Sequence, residues 1–205
     1  MVRVGAVILA AGGSRRFGQP KQLIKFAGET LVQRAVHAAQ EGGCSPVLVV
    51  TGESHEAVTA SVAAMHPLIV RNESWSRGIG SSIRLGVEEL SQHTVDAIIL
   101  LACDQPAVDM GVVSALIAEH ERSGRPIVAS RYADTVGIPA LFQRSMFDEL
   151  RQLPDQHGAK ALIQANLWRV AQIEFANGAF DLDTREDLLT WDAWNASKVH
   201  PGQKQ

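Results

Sequence analysis

Residues 4–21 read VGAVILAAGGSRRFGQPK, an apolar run that passes directly into glycines and basic side chains. Residues 4–10 are apolar or small without a charge, which predicts a strand buried on both faces of a sheet. Gly12 and Gly13 can adopt positive φ and bring backbone N–H groups close to an anion, and the arginines and lysine that follow add positive charge. The segment predicts a phosphate-binding turn, although a surface turn with solvated cations has the same composition.

The rest of the chain alternates strand-like and helix-like segments. This alternation predicts an α/β fold, a three-layer α/β/α sandwich around a mostly parallel mixed sheet, with a ligand at the carboxyl ends of the strands. We expect one domain over residues 1–194 and a solvated tail over residues 195–205. Strands are predicted at 4–10, 47–50, 68–70, 97–101, 127–130, 138–142 and 170–175, and helices at 30–41, 54–65, 81–90, 110–122, 146–153, 159–166 and 184–191.

Composition excludes several classes of function. The chain has 205 residues, 46% hydrophobic content and a net charge of −3, so no basic surplus points to nucleic acid or to an anionic membrane. Cys44 and Cys103 are far apart in sequence, which argues against a disulfide framework and a zinc site and favours a cytoplasmic protein. No apolar run approaches the roughly 20 residues of a membrane span, and the run before Gly12 is short for a signal peptide.

Three common motifs fail on their spacing. Gly13 and Gly18 have the spacing of a P-loop, but Gln19 stands where the lysine belongs. Gly78 and Gly80 begin a dinucleotide-binding pattern that lacks its third glycine. The same stretch, GSSIR, lacks the final glycine of a nucleophile elbow. These failures remove the P-loop, the dinucleotide fingerprint and the hydrolase elbow as explanations for the glycines.

Acidic residues follow two of the predicted strands. Asp104 comes directly after the strand at residues 97–101, and Asp181 and Asp183 follow the last strand. A carboxylate at such a position is a helix cap, an ion-pair partner or a ligand of Mg²⁺, which takes one or two carboxylates with waters and substrate phosphates. Asp181 and Asp183 point the same way in an extended chain, so either could reach a metal while the other caps the helix at Thr184.

Further polar residues leave alternatives open. Arg77, Ser81, Ser82 and Arg84 open a predicted helix, whose N-terminus could bind phosphate or be capped by its own side chains. Trp75 could stack on a flat ring or cover the edge of the sheet. Other side chains with open roles are His157, a possible substrate contact, and Cys103, either inert in the core or, less simply, a thiol paired with a histidine.

The order of these segments resembles the MobA-like nucleotidyltransferases. The pattern L-A-A-G-G-S-x-R-x-G-x-P-K after a first buried strand carries the resemblance, which covers about residues 4–189. The molybdenum cofactor cytidylyltransferases (MocA-like proteins) are the branch that the chain resembles most. The matching segments are NESWSRGIGSSIRLGV at 72–87, ACDQP at 102–106, GIPALF at 137–142, HGAKALI at 157–163 and DLDTREDL at 181–188.

The resemblance implies a Mg²⁺-dependent transfer of CMP from CTP to molybdopterin on a Rossmann-like nucleotidyltransferase fold, with release of pyrophosphate. Metal binding is then implied for Asp104 and Asp183, and catalytic roles for these two residues together with Arg16 and Lys21. The implied nucleotide-binding residues are Leu9, Ala10, Ala11, Gly12, Gly13, Ser14, Arg15, Arg16, Lys21, Asn72, Gly80, Ser81, Ser82, Asp104, Pro139, Ala140 and Leu141.

The nucleotide and the acceptor are the least specific part of the resemblance. Cytidine-specific members resemble LAAG together with PAL, whereas guanosine-specific members resemble LAGG, and this chain has Ala11 and Pro139-Ala140-Leu141. The alternatives are another nucleotide such as GTP, a sugar phosphate as acceptor, or a non-catalytic carrier that hands molybdenum cofactor to a molybdenum hydroxylase apoenzyme. We expect no nucleic-acid and no membrane partner.

Overall fold

The computed structural model describes residues 2–13, 19–26, 28–182, 184 and 186–187. In this part of the chain seven strands form one sheet in the order β5-β4-β1-β6-β8-β7-β9, and β2 and β3 form a separate short hairpin. The strands are β1 (Val4–Ala10), β2 (Lys25–Phe26), β3 (Glu29–Thr30), β4 (Val47–Thr51), β5 (Leu68–Arg71), β6 (Ala97–Ala102), β7 (Ile127–Tyr132), β8 (Thr135–Gln143) and β9 (Val170–Glu174).

The sheet is mostly parallel, as predicted. β1 is the third of the seven strands and lies inside the sheet, paired in parallel with β4 on one side and with β6 on the other. β8 runs antiparallel to both of its neighbours, β6 and β7, while β9 pairs in parallel with β7. All seven residues of β1 are buried, which confirms the prediction made from the uninterrupted apolar run.

Helices cover both faces of the sheet and complete the three layers. Residues 6 and 8 of β1 pack in a core cluster with α1, α2 and α4, whereas residues 7 and 9 pack in a second cluster with α3, α5 and α6. This division follows from the two-residue period of a strand. The helices are α1 (Leu31–Glu41), α2 (His55–Val62), α3 (Ile79–Ser91), α4 (Met110–Ser123), α5 (Phe147–Arg151) and α6 (Ala159–Ala165).

Among the described residues, none of the helices combines the length and the apolar character that crossing a bilayer requires.

Helix boundaries differ from the prediction where the capping chemistry differs. Thr30 is the N-cap of α1 and forms a capping box with Gln33, so this helix starts at residue 31. Ser54 precedes α2 without a side-chain cap, and the predicted second helix turns into a 3₁₀ turn after Val62. Asp109 caps α4, accepting a hydrogen bond from the backbone of Val112.

The later elements also differ in extent. The predicted helix at 81–90 begins earlier, at Ile79, and the predicted strand at 138–142 is extended to Thr135–Gln143. The predicted helix at 146–153 is a 3₁₀ turn followed by the shorter α5. The predicted last helix, 184–191, and the predicted tail, 195–205, lie largely or entirely outside the described residues. Thr184 and Asp187 do exchange hydrogen bonds of the kind that starts a helix.

Strand direction decides where functional groups can gather. β1, β4, β5 and β6 are parallel, so their carboxyl ends lie along the same edge of the sheet. The residues that follow them there are the glycine-rich turn, Gly52, Asn72 and Cys103-Asp104. Because β8 is antiparallel, its first residues rather than its last lie at this edge. We call the edge of the sheet at which β1, β4, β5 and β6 end the carboxyl edge.

Gly86 tests how closely α3 lies on the sheet. A Cβ at this position would lie 2.4 Å from Val7 Cγ1 and 3.2 Å from Val50 Cγ2, inside the closed core. In an open helix, alanine is favoured over glycine by about 1 kcal/mol. We expect Gly86→Ala instead to lower the free energy of unfolding by about 1–3 kcal/mol, because a core side chain must move.

Gly111, on the exposed side of α4, is the matched control. The nearest atom to an added Cβ there is Asp109 Oδ1 at 3.2 Å, the oxygen that caps α4, which would have to move by a few tenths of an ångström. The gain in helix propensity of about 1 kcal/mol offsets this small shift. Gly111→Ala should leave stability unchanged or raise it. Urea unfolding of the two variants measures both changes, and equal stabilisation by both would contradict the close packing of α3 against β1.

Candidate active site

A cavity of about 200 Å³ opens at the carboxyl edge between β1 and β6. Its walls come from the ends of these two strands, the glycine-rich turn, the 3₁₀ turn after it and the start of α3. The position is the one expected for a ligand in an open α/β sheet. The lining residues are Leu9, Ala11, Gly12, Lys21, Gln22, Trp75, Ile79, Ser82, Ala102, Cys103 and Asp104.

Lys21 and Asp104 form an ion pair inside this cavity. Lys21 Nζ lies 2.5 Å from Asp104 Oδ2, and the two side chains are 17% and 23% exposed. Lys21 begins a 3₁₀ turn, and Asp104 follows β6 after a single residue. The structure thus brings together two of the four predicted catalytic residues, although they are 83 positions apart in sequence.

Gln22 holds the glycine-rich turn against the 3₁₀ turn that carries Lys21. Its side chain is 1% exposed, and its Nε2 donates to the carbonyl oxygens of Ala10, at 3.1 Å, and Gly12, at 2.6 Å. A buried amide satisfies these carbonyls where the chain leaves the sheet. Gln22 is not among the predicted site residues. Its one sequence signal for a role in the site is its position next to Lys21.

Trp75 forms one wall of the cavity. A Cβ on Gly52 would lie 2.4 Å from the carbonyl oxygen of Ala11 and 2.9 Å from Trp75 Cβ, and one on Gly13 would lie 2.8 Å from Trp75 Cζ3. The indole therefore packs directly on two glycines, one from each of two neighbouring turns. Trp75 therefore lines the cavity, and stacking on a flat ring stays a prediction.

Asn72 organises the first turn of α3 and is only 4% exposed. Its Nδ2 donates to the hydroxyl oxygens of Ser81 and Ser82, both at 2.9 Å, and its Oδ1 accepts from the backbone of Ser74. Ser82 lines the cavity, whereas Asn72, Gly80 and Ser81 are not among its lining residues. These three predicted nucleotide contacts shape the wall behind Ser82.

The two arginines of this segment are engaged elsewhere. Arg77 and Arg84 both form ion pairs with Asp155, and Arg84 also donates to the carbonyl oxygen of Leu153. The hydrogen bond from Arg84, together with the charge of Arg77, holds the pKa of Asp155 below its usual value. Asp155 therefore compensates positive charge that could otherwise have served a phosphate at the start of α3. His157, in the same segment, is exposed and does not line the cavity.

The second acidic turn lies beside Asp104. The backbone N–H of Leu182 donates to the carbonyl oxygen of Asp104 at 2.9 Å, and the Leu182 side chain is buried in a small cluster with Ile24, Phe26 and Leu31. Asp181 is exposed, and its charge adds to burial in raising the pKa of Tyr132. Asp183 lies outside the described residues, as do Ser14, Arg15 and Arg16.

Gln105 is a second buried amide that the sequence analysis did not single out. It is 7% exposed, and its Nε2 donates to the carbonyl oxygens of Gly178 at 3.1 Å and Ile138 at 3.4 Å. The side chain thereby ties the loop after Asp104 to the segment before Asp181 and to the start of β8. Its Oε1 is buried without a hydrogen-bond partner.

Pro139, Ala140 and Leu141 do not line the cavity. They lie within β8, where Ala140 pairs with Leu100 and Leu141 with Ile99, and both side chains are fully buried. The antiparallel pairing with β6 draws this segment into the sheet. Direct side-chain contact of Ala140 or Leu141 with a nucleotide is therefore inconsistent with their burial.

The cavity also contains Cys103, whose chemistry is fixed by burial. Burial raises the pKa of the Cys103 thiol to about 12, and burial also raises that of Cys44 to about 12. The thiolate is the nucleophilic form, and an active thiol needs a lowered pKa. This environment is the opposite of that of a catalytic cysteine.

We expect both thiols to react slowly in the folded protein. Raising a thiol pKa from 9.0 to about 12 reduces the thiolate fraction near pH 8 by about a thousandfold. Titration with a disulfide reagent near that pH should proceed at least ~100-fold faster in urea than in buffer. A Cys44→Ser variant isolates the signal of Cys103, and rapid reaction of its remaining thiol in buffer would contradict an inert Cys103.

Comparison with known proteins identifies the family of this chain. The model of the MobA-like NTP transferase domain matches residues 6–171. Nicotine blue oxidoreductase from Paenarthrobacter nicotinovorans is 31% identical over 197 residues, spanning 90% of this chain and 94% of its own length.

Solved structures agree with the fold. Rv0371c from Mycobacterium tuberculosis H37Rv is 29% identical with a TM-score of 0.80, covering 92% of this chain and 96% of its own. A structure of Rv0371C in complex with manganese, at 27% identity and a TM-score of 0.77, covers 92% of this chain and 97% of its own. A nucleotidyl transferase from Methanothermobacter, 21% identical, shares the fold with a TM-score of 0.78 over 95% of this chain and 99% of its own. With its mostly parallel seven-stranded sheet and a family match over most of its length, the chain belongs to the MobA-like NTP transferases, which are nucleotidyltransferases with a Rossmann-like fold.

Proposed function

We propose that this nucleotidyltransferase transfers CMP from CTP to the phosphate of molybdopterin and releases pyrophosphate. The observation that carries the proposal is the cavity in which Lys21 and Asp104 meet beside the glycine-rich turn. A cation, a carboxylate and the backbone N–H groups of a glycine-rich turn at one edge of the sheet suit a polyphosphate and its counter-ion.

The roles proposed for this reaction fall to residues of the cavity, to Gly13 beside it, and to Arg16, which lies outside the described residues. Backbone N–H groups of Gly12 and Gly13 bind the triphosphate, and Lys21 with Arg16 neutralises the β- and γ-phosphates and the departing pyrophosphate. An oxygen of the acceptor phosphate attacks the α-phosphorus in line. The bond from the α-phosphorus to the bridging oxygen breaks, and its electron pair leaves with pyrophosphate. Positioning and electrostatics supply the rate, and no covalent intermediate on the protein is required.

The donor set fits Mg²⁺. Asp104 presents a carboxylate in the cavity, and among the described residues there is no group of three or more potential metal ligands of the His, Cys, Asp or Glu type. Mg²⁺ is commonly held by one or two carboxylates with waters and phosphates in the other positions. We assign the second carboxylate to Asp183, with Asp181 as the alternative. When bound, the metal neutralises charge on the phosphoryl group being transferred. The manganese complex of Rv0371C supports a divalent cation.

Support for CTP and molybdopterin comes from the family pattern. Ala11, which stands in the LAAG position of cytidine-specific members, lines the cavity. The PAL segment gives no direct contact, so it supports the assignment only as a sequence mark. We further propose that the protein acts in the cytoplasm and that a molybdenum hydroxylase apoenzyme receives the product.

Two rival functions predict different behaviour. A nucleotidyltransferase with another nucleotide or acceptor would release pyrophosphate with GTP or with a sugar phosphate. A non-catalytic carrier would bind molybdenum cofactor and pass it on without turnover. The relative named nicotine blue oxidoreductase adds a third comparison, since an oxidoreductase consumes a redox partner and releases no pyrophosphate.

The nucleotide is tested by thermal shift with Mg²⁺ and CTP, GTP or ATP. We expect the largest rise in melting temperature with CTP, because a ligand that binds the native state stabilises it in proportion to its affinity. An equal or larger rise with GTP or ATP would contradict the cytidine assignment. Pyrophosphate release with CTP and molybdopterin then tests the acceptor.

Asp104→Ala tests the chemistry. We expect turnover to fall at least ~100-fold, because the carboxylate is assigned to the metal. The free energy of unfolding should fall by about 1–3 kcal/mol, since the lost ion pair is mostly buried, and thermal melting verifies that the variant is folded. Asp134→Ala, an exposed aspartate on the β7–β8 turn, is the matched control and should retain activity. Full cofactor delivery by Asp104→Ala would instead identify a carrier.

A further inference from the structure

We propose that Lys21 acts as an internal counter-ion that occupies Asp104 until a nucleotide arrives, so that divalent cation and nucleotide bind cooperatively. The inference rests on the proposed function, because it takes Asp104 as a metal-binding carboxylate. It adds a property that the roles assigned above do not require: the protein without nucleotide opposes binding of the metal.

The ion pair is the first observation. Lys21 Nζ lies 2.5 Å from Asp104 Oδ2 in a cavity whose walls include Leu9, Ile79 and Trp75. At 17% and 23% exposure, neither charged group is fully hydrated. In such surroundings two charges interact more strongly than on an open surface. The ammonium is therefore a real competitor for a cation that would use the same carboxylate.

The backbone on both sides of the pair is held in place, so the pair can be exchanged by side-chain movement alone. Gln22, next to Lys21, donates to the carbonyl oxygens of Ala10 and Gly12. The carbonyl oxygen of Asp104 accepts from Leu182. The flexible part is the lysine side chain, a point charge on a four-carbon stem that can turn from a carboxylate to a phosphate without moving the main chain.

The charge balance sets the direction of the effect. A divalent cation that reaches Asp104 alone must displace the ammonium or share the carboxylate with it, and either arrangement leaves Lys21 close to another positive charge. A triphosphate supplies the ammonium with a new anion. The metal then gains the carboxylate while the lysine keeps an ionic partner. Because coupling between two ligands is reciprocal, the metal must raise nucleotide affinity by the same factor by which nucleotide raises metal affinity.

The test measures binding of Mn²⁺ to the full chain without nucleotide, by the loss of the electron paramagnetic resonance signal of free Mn²⁺. Lys21→Met removes the ammonium and keeps the apolar stem. We expect this variant to bind Mn²⁺ about tenfold more tightly than the unmodified protein, the direction expected when a competing charge is removed from a partly desolvated site. In the presence of Mn²⁺, the same variant should bind CTP at least ~10-fold more weakly, because a phosphate contact is lost.

Three controls keep the result specific. Lys25→Met removes an exposed lysine on β2 and should leave both affinities unchanged. Asp104→Ala should abolish the tight Mn²⁺ binding of the Lys21→Met protein in the double variant, which locates the ion. Lys21→Gln serves as a second uncharged variant, and thermal melting verifies that each protein is folded.

The outcomes separate this inference from the function on which it rests. Equal or weaker binding of Mn²⁺ by folded Lys21→Met and Lys21→Gln would overturn the counter-ion role and leave the metal-dependent transferase intact. If neither the unmodified protein nor any variant binds Mn²⁺ with or without CTP, the proposed metal site fails and the role of Lys21 fails with it.

Discussion

The complete burial of β1 is the constraint on which the rest of the structure depends. A strand flanked on both sides by parallel neighbours and covered on both faces by helices has no position for a charged side chain along its length. Charged side chains can therefore lie only beyond the ends of β1. The glycine-rich turn and Asp104 lie at the ends of β1 and β6, so the same burial that stabilises the fold concentrates the chemistry at the carboxyl edge.

Buried amides convert this general arrangement into a defined cavity. Gln22 fixes the glycine-rich turn, Asn72 fixes the first turn of α3, and Gln105 fixes the loop after Asp104. Each amide bonds to backbone or hydroxyl groups where the chain enters or leaves an element of secondary structure or turns. Few polar side chains consequently line the cavity. Most of the polar residues nearby hold the cavity-lining segments in position.

Much of the fold could be predicted from local patterns. The apolar run at residues 4–10 and the spacing of apolar residues in α1 identify elements whose packing is decided by their own sequence. Asp104 could be placed at the cavity because residues that follow a buried parallel strand lie at the carboxyl edge of the sheet, where ligands bind. The glycine-rich turn could be placed beside the cavity for the same reason, and its phosphate-binding role stays a prediction.

The remaining features depend on contacts between distant segments. Arg77 and Arg84 carry the charge expected of a phosphate site, yet both form ion pairs with Asp155, more than seventy positions away. Leu141 belongs to a segment that resembles a nucleotide contact, yet the antiparallel direction of β8 buries it in the sheet. The residues next to a charged side chain in sequence do not determine its partner, and those next to a strand do not determine its direction in the sheet. These assignments therefore required the tertiary structure.

The antiparallel β8 also has an evolutionary consequence. Because it enters the sheet from the ligand side, the tight turn between Tyr132 and Thr135 projects from the same rim as Asp104. Exposed turns tolerate insertions, whereas the strands behind them do not. A lengthened loop at this point would add a new surface at the carboxyl edge while the cavity wall built on β1 stays unchanged. Descendants of such a scaffold could therefore gain new surface beside the cavity without any rearrangement of the sheet.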